Sequence, residues 1–357
     1  MIKKFKIFGK RYVSEIDVDF VIIWVDGGDS QWLKEKAKYS FNNTPETSID
    51  ESASRYRDWD NLQYWFRGVE EYTPWVRKIH FVTAGHVPEW LDLDNPKLNF
   101  VKHDDYIPKQ YLPTFSSHPI ELNLHRINGL AEHFVYFNDD MFITKPMKKT
   151  DFFVNGLPCD QAQLSRTVST DNNTIMPHII LNNIGFLNRY FDKDYVIKKN
   201  WARWFSYRYS VISNLRNLML LPYPYFPGFS WNHLPSAFLK STFDEVWRKD
   251  PYTLSRVSSN KFRNIEDVSQ YVMKEWQIAK GNFYPKNMFG KIGRVFTDIT
   301  IQTEDACHAI EKQKYSMLCL NDQNSNDDIS LKKNSIKASF EKILPNKSSF
   351  EKKDSNV

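Results

Sequence analysis

Cysteine is scarce in this 357-residue chain: Cys159, Cys307 and Cys319 are odd in number, widely spaced and form no CxxC pair. That argues against a disulfide framework and a cysteine-built zinc site, and points to a reducing compartment. Long apolar runs are missing too. None approaches the roughly 20 residues needed to cross a bilayer. The basic stretch MIKKFKIFGKRYVSE has no signal-peptide core. A cytoplasmic protein is expected, with any membrane contact peripheral and on the inner face. The chain has no HExxH, GxSxG, P-loop or GxGxxG, which weakens hydrolase, Walker-type NTPase and dinucleotide-oxidoreductase readings. Charge of one sign is also modest. A net +5 suits an anionic ligand or membrane surface but does not argue for nucleic acid.

What is present is a core-forming composition, 41% hydrophobic and 15% aromatic, enough for one large domain or two smaller ones. The aromatic excess suits sugars or membrane interfaces, which both favour amphipathic rings. Residues 18 to 25 (VDFVIIWV) read as a buried strand that breaks at Asp26-Gly27-Gly28-Asp29. A polar loop with some helix is expected over 30 to 57. A helix follows to about Tyr72, where Leu62, Trp65, Phe66 and Val69 recur at helical spacing before Pro74. Strands are expected over 78 to 83 and 98 to 101, and a helix over 117 to 131 with Pro119 in its first turn. This alternation predicts an α/β class with a Rossmann-like, mostly parallel sheet flanked by helices. Such sheets bind ligands beyond the carboxyl ends of their strands. No internal repeat is present.

The run HFVYFNDDMFITK, residues 133 to 145, is the most informative stretch. An apolar strand ends in Asn138-Asp139-Asp140, and adjacent carboxylates at that point are costly unless a cation or donors offset them. Hard oxygen ligands suit Mg²⁺ or Mn²⁺. A turn capping the next element is the plainer reading of a lone Asp pair. Asp26 at a second strand end strengthens the site reading.

Residues 198 to 219 carry Lys198, Lys199, Arg203, Arg208 and Arg216 and no acid. Trp201, Trp204, Phe205, Ile212, Leu215 and Met219 fall on roughly one face of a helix. Two readings stand for this basic amphipathic stretch: a peripheral membrane contact, or an ordinary helix packing its stripe on the domain. Pro222, Pro224 and Pro227 then break the chain, and helical periodicity resumes over 261 to 280.

Four polar clusters stand out: RYRDWDN over 55 to 61, SSHPIELNLHR with His118, Glu121, His125 and Arg126, His233 in a constrained turn, and Arg263 at a helix start. If the second is helical, Glu121 and His125 share a face. Each taken alone is more often structural.

Taken in order, four blocks are more specific. They are IIWVDGGDSQW (22 to 32); RYRDWDNLQYWFRGVEEYTPWVRKIHFVT through LPTFSSHPIELNLHRINGLAEHFVYFNDDMF; FSWNHLPSAF (229 to 238) followed by SNKFRNIEDV; and CLNDQ (319 to 323) with LPNKSSFE (344 to 351). They resemble the conserved blocks of the Stealth family of phosphosugar transferases, from about residue 18 to 351. Gly28 stands where Ser is common and VTAGH where VTDGQ is common. Neither departure touches the charged positions.

The resemblance implies a GT-A-like form of the sheet. It implies a catalytic domain over 18–322 with a helical insertion at about 190–228. An N-terminal extension (1–17) precedes it, and a largely flexible tail (323–357) carries the last block. It also implies transfer of a sugar with its proximal phosphate from a nucleotide-sugar donor to a glycan acceptor, which a lipid could carry. Phosphoryl transfer needs charge stabilisation and a proton acceptor. The expected catalytic residues are Glu121, His233, Arg263 and Asp140. Asp139, Asp140 and Asp322 would hold Mg²⁺ or Mn²⁺, and Arg263 the transferred phosphate. His233, favoured over Glu121, would be the base. Asp26, Arg57, Asp58, Asp60, His118, His125, Arg126 and Asn138 would position donor or acceptor. The rivals are a sugar-only glycosyltransferase and a non-catalytic carbohydrate-binding protein at the membrane.

Overall fold

The computed structural model describes residues 16–40, 56–169, 175–288, 290, 292–323 and 329–353. Most of the expected N-terminal extension, the polar stretch 41–55 and Arg55 lie outside them. Five strands form the main sheet. β1 (Val18–Ile23), β2 (Ile79–Thr83), β3 (Leu98–Lys102) and β4 (His133–Phe137) run parallel in the spatial order β3-β2-β1-β4. The strand Ser236–Leu239 closes one edge antiparallel to β4. The expected α/β class, a mostly parallel sheet flanked by helices, is the fold observed.

A parallel sheet of this kind must be covered on both faces, and the strand alternation serves both. Phe20, Ile22, Val135 and Phe137 face one core with Trp65, Phe66 and Val69 of the helix Leu62–Tyr72. Val21, Phe134 and Tyr136 face the other, with Phe243 and Val246 of the helix Lys240–Lys249 and Trp276 of the helix Tyr271–Lys280. β5 (Met141–Ile143) follows β4 after a short turn and joins a smaller sheet with Met317–Leu320 and Gly293–Phe296.

Four expectations change. The helix expected over 117 to 131 ends at Leu122, because Asn123 Nδ2 donates to the Pro119 carbonyl (2.8 Å) and a 3-10 turn, Leu124–Arg126, follows. The periodic stretch 261 to 280 is helical only over Tyr271–Lys280, so Arg263 sits on a loop. The described part of the tail, for which flexibility is the expectation, carries regular structure. Ser330–Ile343 is a helix whose Ile336 and Phe340 are fully buried, and Phe340 packs 4.8 Å from Phe142. Its sparse apolar residues cover the face that the smaller sheet would otherwise leave wet.

The basic stretch 198 to 219 is not one helix. It is divided among Lys193–Lys199, Trp201–Trp204 and Val211–Leu220, with Ser210 Oγ capping the last by accepting from the Ser213 amide. Trp204 packs inward, whereas Ile212, Leu215 and Met219 face out.

Candidate active site

The carboxyl ends of β1 and β4 open into a cleft of about 960 Å³. β4 delivers Asn138, Asp139 and Asp140, since the Met141 amide bonds back to the Asn138 carbonyl and turns the chain there (3.2 Å). The antiparallel strand Ser236–Leu239 pairs Tyr136 with Ser236. Continued past that pair, the register brings the Asp turn level with His233. On the other side, the Leu320 amide donates to the Asp140 carbonyl (2.8 Å) and docks the CLNDQ block beside it.

The resulting network is continuous. His233 Nε2 lies 3.5 Å from Asp140 Oδ2 and 3.2 Å from Asn138 Nδ2. Cys319 Sγ donates to Asp140 Oδ2 (3.2 Å). Tyr136 Oη bridges Glu121 Oε1 and Asn138 Oδ1. Glu121 Oε2 and Asp140 Oδ1 are buried and have no hydrogen-bond partner among the described residues. Buried polar atoms of this kind mark places where a ligand, ion or water is wanted.

Charge crowding says the same. Enclosure, then Asp140 and Asp58, pushes the Asp139 carboxyl up to about 8. Burial pushes Asp140 up as well, but His233 and the Cys319 thiol outweigh it and hold Asp140 below its ordinary value. Burial pushes His233 down, and Asp140 more than offsets this, so the imidazole holds its proton above the usual range. A carboxylate pair with an orphaned oxygen is a fitting seat for a hard divalent cation. Asp140, His233 and Cys319 also bring three potential ligand atoms within 4.8 Å of one another.

The walls carry the other blocks. Arg263 Nη2 donates to Ser117 Oγ (3.1 Å), and His118 Nδ1 lies 2.9 Å from Asp267 Oδ2, which ties SSHPIEL to the SNKFRNIEDV loop. Arg57 and Trp59 meet Asp322 Oδ2 at 3.5 and 3.1 Å. Thus Asp322 lines the cleft but spends that oxygen on positioning Arg57 and Trp59. Gly27 allows the Tyr56 carbonyl to pack so closely that a Cβ there would lie 1.7 Å from it, so the first block seats the second.

The cleft therefore gathers Glu121, His233, Arg263, Arg57, Asp58, His118, Asn138, Asp139, Asp140 and Asp322. Four expected residues fall outside it. Asp26 caps its own turn through the Gly28 amide (2.8 Å). Asp60 pairs with Lys333 on the surface (3.1 Å). His125 packs between Phe243 and Trp247, and burial pushes it down to about 3. Arg126 lies over the Trp247 ring at 4.7 Å. The early helix end at Leu122 turns these last two away.

Sequence reasoning missed Tyr136, Cys319, Trp231 and Tyr271. The first two could have been found, since Tyr136 is two residues before Asn138 on the same strand face and Cys319 opens a recognised block. Trp231 stacks between Phe229 (5.2 Å, 7°) and Tyr271 (6.2 Å, 2°), with its Nε1 donating to Glu275 Oε1 (3.0 Å). Only the fold makes that wall.

Comparison with known proteins identifies the family. The profile of Stealth protein CR2, conserved region 2, matches residues 55–159. The chain is 41% identical over 339 residues to the capsular polysaccharide phosphotransferase WcwK of Streptococcus pneumoniae, covering 94% of this chain and 98% of that one. It is 38% identical over 336 residues to the receptor polysaccharide phosphotransferase WefC of Streptococcus oralis (94% and 99%). With the exopolysaccharide phosphotransferase cps2G of Lactiplantibacillus plantarum it shares 36% over 343 residues (94% and 96%). Among solved structures, galactosyltransferase LgtC in complex with donor and acceptor sugar analogs aligns with a TM-score of 0.39 at 7% identity, covering 90% of this chain and 95% of that one. The chain is a transferase and belongs to the Stealth family of phosphotransferases.

Proposed function

We propose that the enzyme transfers a sugar-1-phosphate from a nucleoside-diphosphate sugar to a hydroxyl of a glycan, in cytoplasmic assembly of a capsular or exopolysaccharide. The phosphotransferase names of its relatives support this reading. The observation that carries it is the meeting of Asp139, the partnerless Asp140 Oδ1, and His233 at 3.5 Å from Asp140 in one cleft with Arg263.

In this reading Asp139 and Asp140 hold Mg²⁺ or Mn²⁺, which when bound offsets the charge of the diphosphate. Arg263 presents its planar fork to the transferred phosphate. His233 would accept the hydroxyl proton once a cation on Asp140 offsets the charge that otherwise keeps the imidazole protonated, with Asn138 and Asp140 fixing its ring, and Glu121 is the alternative acceptor. The new bond joins the acceptor oxygen to the donor's sugar-bearing phosphorus. The bond from that phosphorus to the bridging oxygen breaks, and the nucleoside monophosphate leaves with the electron pair.

The test is a panel of UDP- and GDP-sugars incubated with the purified protein and acceptor glycans. Release of nucleoside monophosphate, with a phosphodiester ³¹P signal in the glycan, is expected. Release of nucleoside diphosphate would instead identify a sugar-only glycosyltransferase.

A further inference from the structure

The helix Val211–Leu220 is inside out relative to an ordinary surface helix. It buries the polar Ser213 and Asn217 and, of its apolar residues, Leu220. Val211, Ile212, Leu215, Leu218 and Met219 are 75%, 72%, 52%, 53% and 71% exposed. A surface helix of a soluble domain turns its apolar stripe inward.

The inversion is built in by specific bonds. Asn217 Nδ2 donates to the carbonyls of Ala162 (2.8 Å) and Trp204 (3.0 Å), and its Oδ1 accepts from the Leu164 amide (2.7 Å). Gln161 Nε2 donates to Ser213 Oγ (2.9 Å). These buried bonds fix the polar face to the body, so the helix cannot roll to hide its apolar face without orphaning them.

The surroundings continue the pattern. Trp201, Tyr207, Tyr223 and Tyr225 are exposed on the flanking segments. Lys193 Nζ donates to the Leu221 carbonyl, which brings the helix Lys193–Lys199 alongside with Lys198 and Lys199 exposed at its end. Arg208 is exposed as well. Between residues 195 and 243 the sequence contains no acidic residue. An exposed apolar face with exposed Trp, Tyr, Lys and Arg on its flanking segments is complementary to a bilayer interface with anionic headgroups, although Asp192 and Asp194 are also exposed at the start of the helix Lys193–Lys199.

We propose that the face of Val211, Ile212, Leu215, Leu218 and Met219 docks this enzyme on an anionic membrane surface. Apolar side chains enter the acyl boundary while Lys198, Lys199 and Arg208 meet the headgroups. The docking stands apart from the reaction, so a sugar-only transferase with this surface would bind in the same way.

The test is co-sedimentation of the full chain with vesicles of phosphatidylcholine alone and of phosphatidylcholine with phosphatidylglycerol. Binding to the anionic vesicles, weakened by salt, is expected. Ile212→Asp combined with Met219→Asp should lower the bound fraction about tenfold. Both side chains are already in water, and an unchanged circular dichroism spectrum checks the fold. Lys198→Glu with Lys199→Glu provides a second, surface-only variant and should remove the preference for anionic vesicles. Tyr252→Asp, at an exposed ring of the helix Pro251–Ser258, should bind as the unmodified chain does. Three outcomes would each overturn the proposal: an unmodified chain that stays in the supernatant, an apolar double variant that binds undiminished, or a vesicle-free dimer that the same double variant converts to monomer.

Discussion

His233 Nε2 faces Asp140 Oδ2 at 3.5 Å because β4 and its antiparallel partner strand end side by side at the cleft. The imidazole thus borders the carboxylate pair that the proposed cation would occupy. Asp140→Asn keeps the shape but removes the charge and should lower turnover by about a thousandfold. Chelation should do the same to the unmodified enzyme, reversed by Mg²⁺ or Mn²⁺. Both are read as nucleoside monophosphate release, with circular dichroism to confirm the fold. Full activity in excess EDTA would remove the metal from the scheme.

The proton acceptor can be separated from its neighbours by kinetics. Tyr136 and Asn138 link Glu121 to His233. If His233 takes the proton, His233→Gln should reduce kcat by about 10²–10⁴-fold with little change in KM. Glu121→Gln should then be the milder change. The opposite ranking would assign the role to Glu121, whose buried Oε2 is the other orphaned carboxylate atom of the network.

Gly27 is a steric requirement of the cleft rather than a flexible hinge. A Cβ at this position would lie 1.7 Å from the Tyr56 carbonyl, so Gly27→Ala must displace the segment that carries Arg57 and Asp58. The expected result is a rise in donor KM larger than any fall in kcat, together with lower thermal stability. Unchanged kinetics would show that this segment does not shape the donor site.

Acid should weaken the fold through Asp19. This β1 residue is fully buried, and burial alone would raise its carboxyl. Bonds from His80, Arg77 and the Ala131 amide outweigh that and hold it below 3.8. The folded value is the depressed one, so the stabilisation is complete above 3.8 and is lost as pH falls through the folded value. The stability difference between the unmodified chain and Asp19→Asn, measured by urea unfolding, should therefore shrink as pH drops below that point. A difference independent of pH would mean Asp19 acts only by shape.

Strand ends were legible because buried β-branched and aromatic runs stop abruptly at charged residues. Asp139 and Asp140, which line the cleft, stand at such a strand end. His233 and Arg263 lie on irregular loops with no periodicity of their own, so only block order pointed to them. His125 and Arg126 were misplaced because helical spacing says nothing about where a helix stops, and the Asn123 side chain stops this one. Apolar residues in the tail are too sparse among Ser, Lys and Asn to announce a helix. Ile336 and Phe340, four residues apart, are buried because a second sheet needs covering.

That tail is clamped by a buried ion pair. Arg67 Nε and Nη2 donate to the two carboxylate oxygens of Glu351 (2.8 and 2.9 Å), and Nη1 donates to the Leu344 carbonyl (2.9 Å). The pair joins the helix Leu62–Tyr72 to the last conserved block. Burial pushes Glu351 up, while Arg67 and the Ser348 amide hold it below its ordinary value. Removing Arg67 strands the buried Glu351 carboxylate, which typically costs about 3–5 kcal/mol, whereas removing Glu351 leaves Arg67 its second partner, Glu341 Oε2 at 3.1 Å. Arg67→Ala should lower unfolding stability on that scale, Glu351→Ala by less, and both should expose the tail to limited proteolysis. The double variant should lose much less than the sum of the two, because the second substitution removes a charge already stranded. Strictly additive losses in urea unfolding would show that the two side chains stabilise the tail independently.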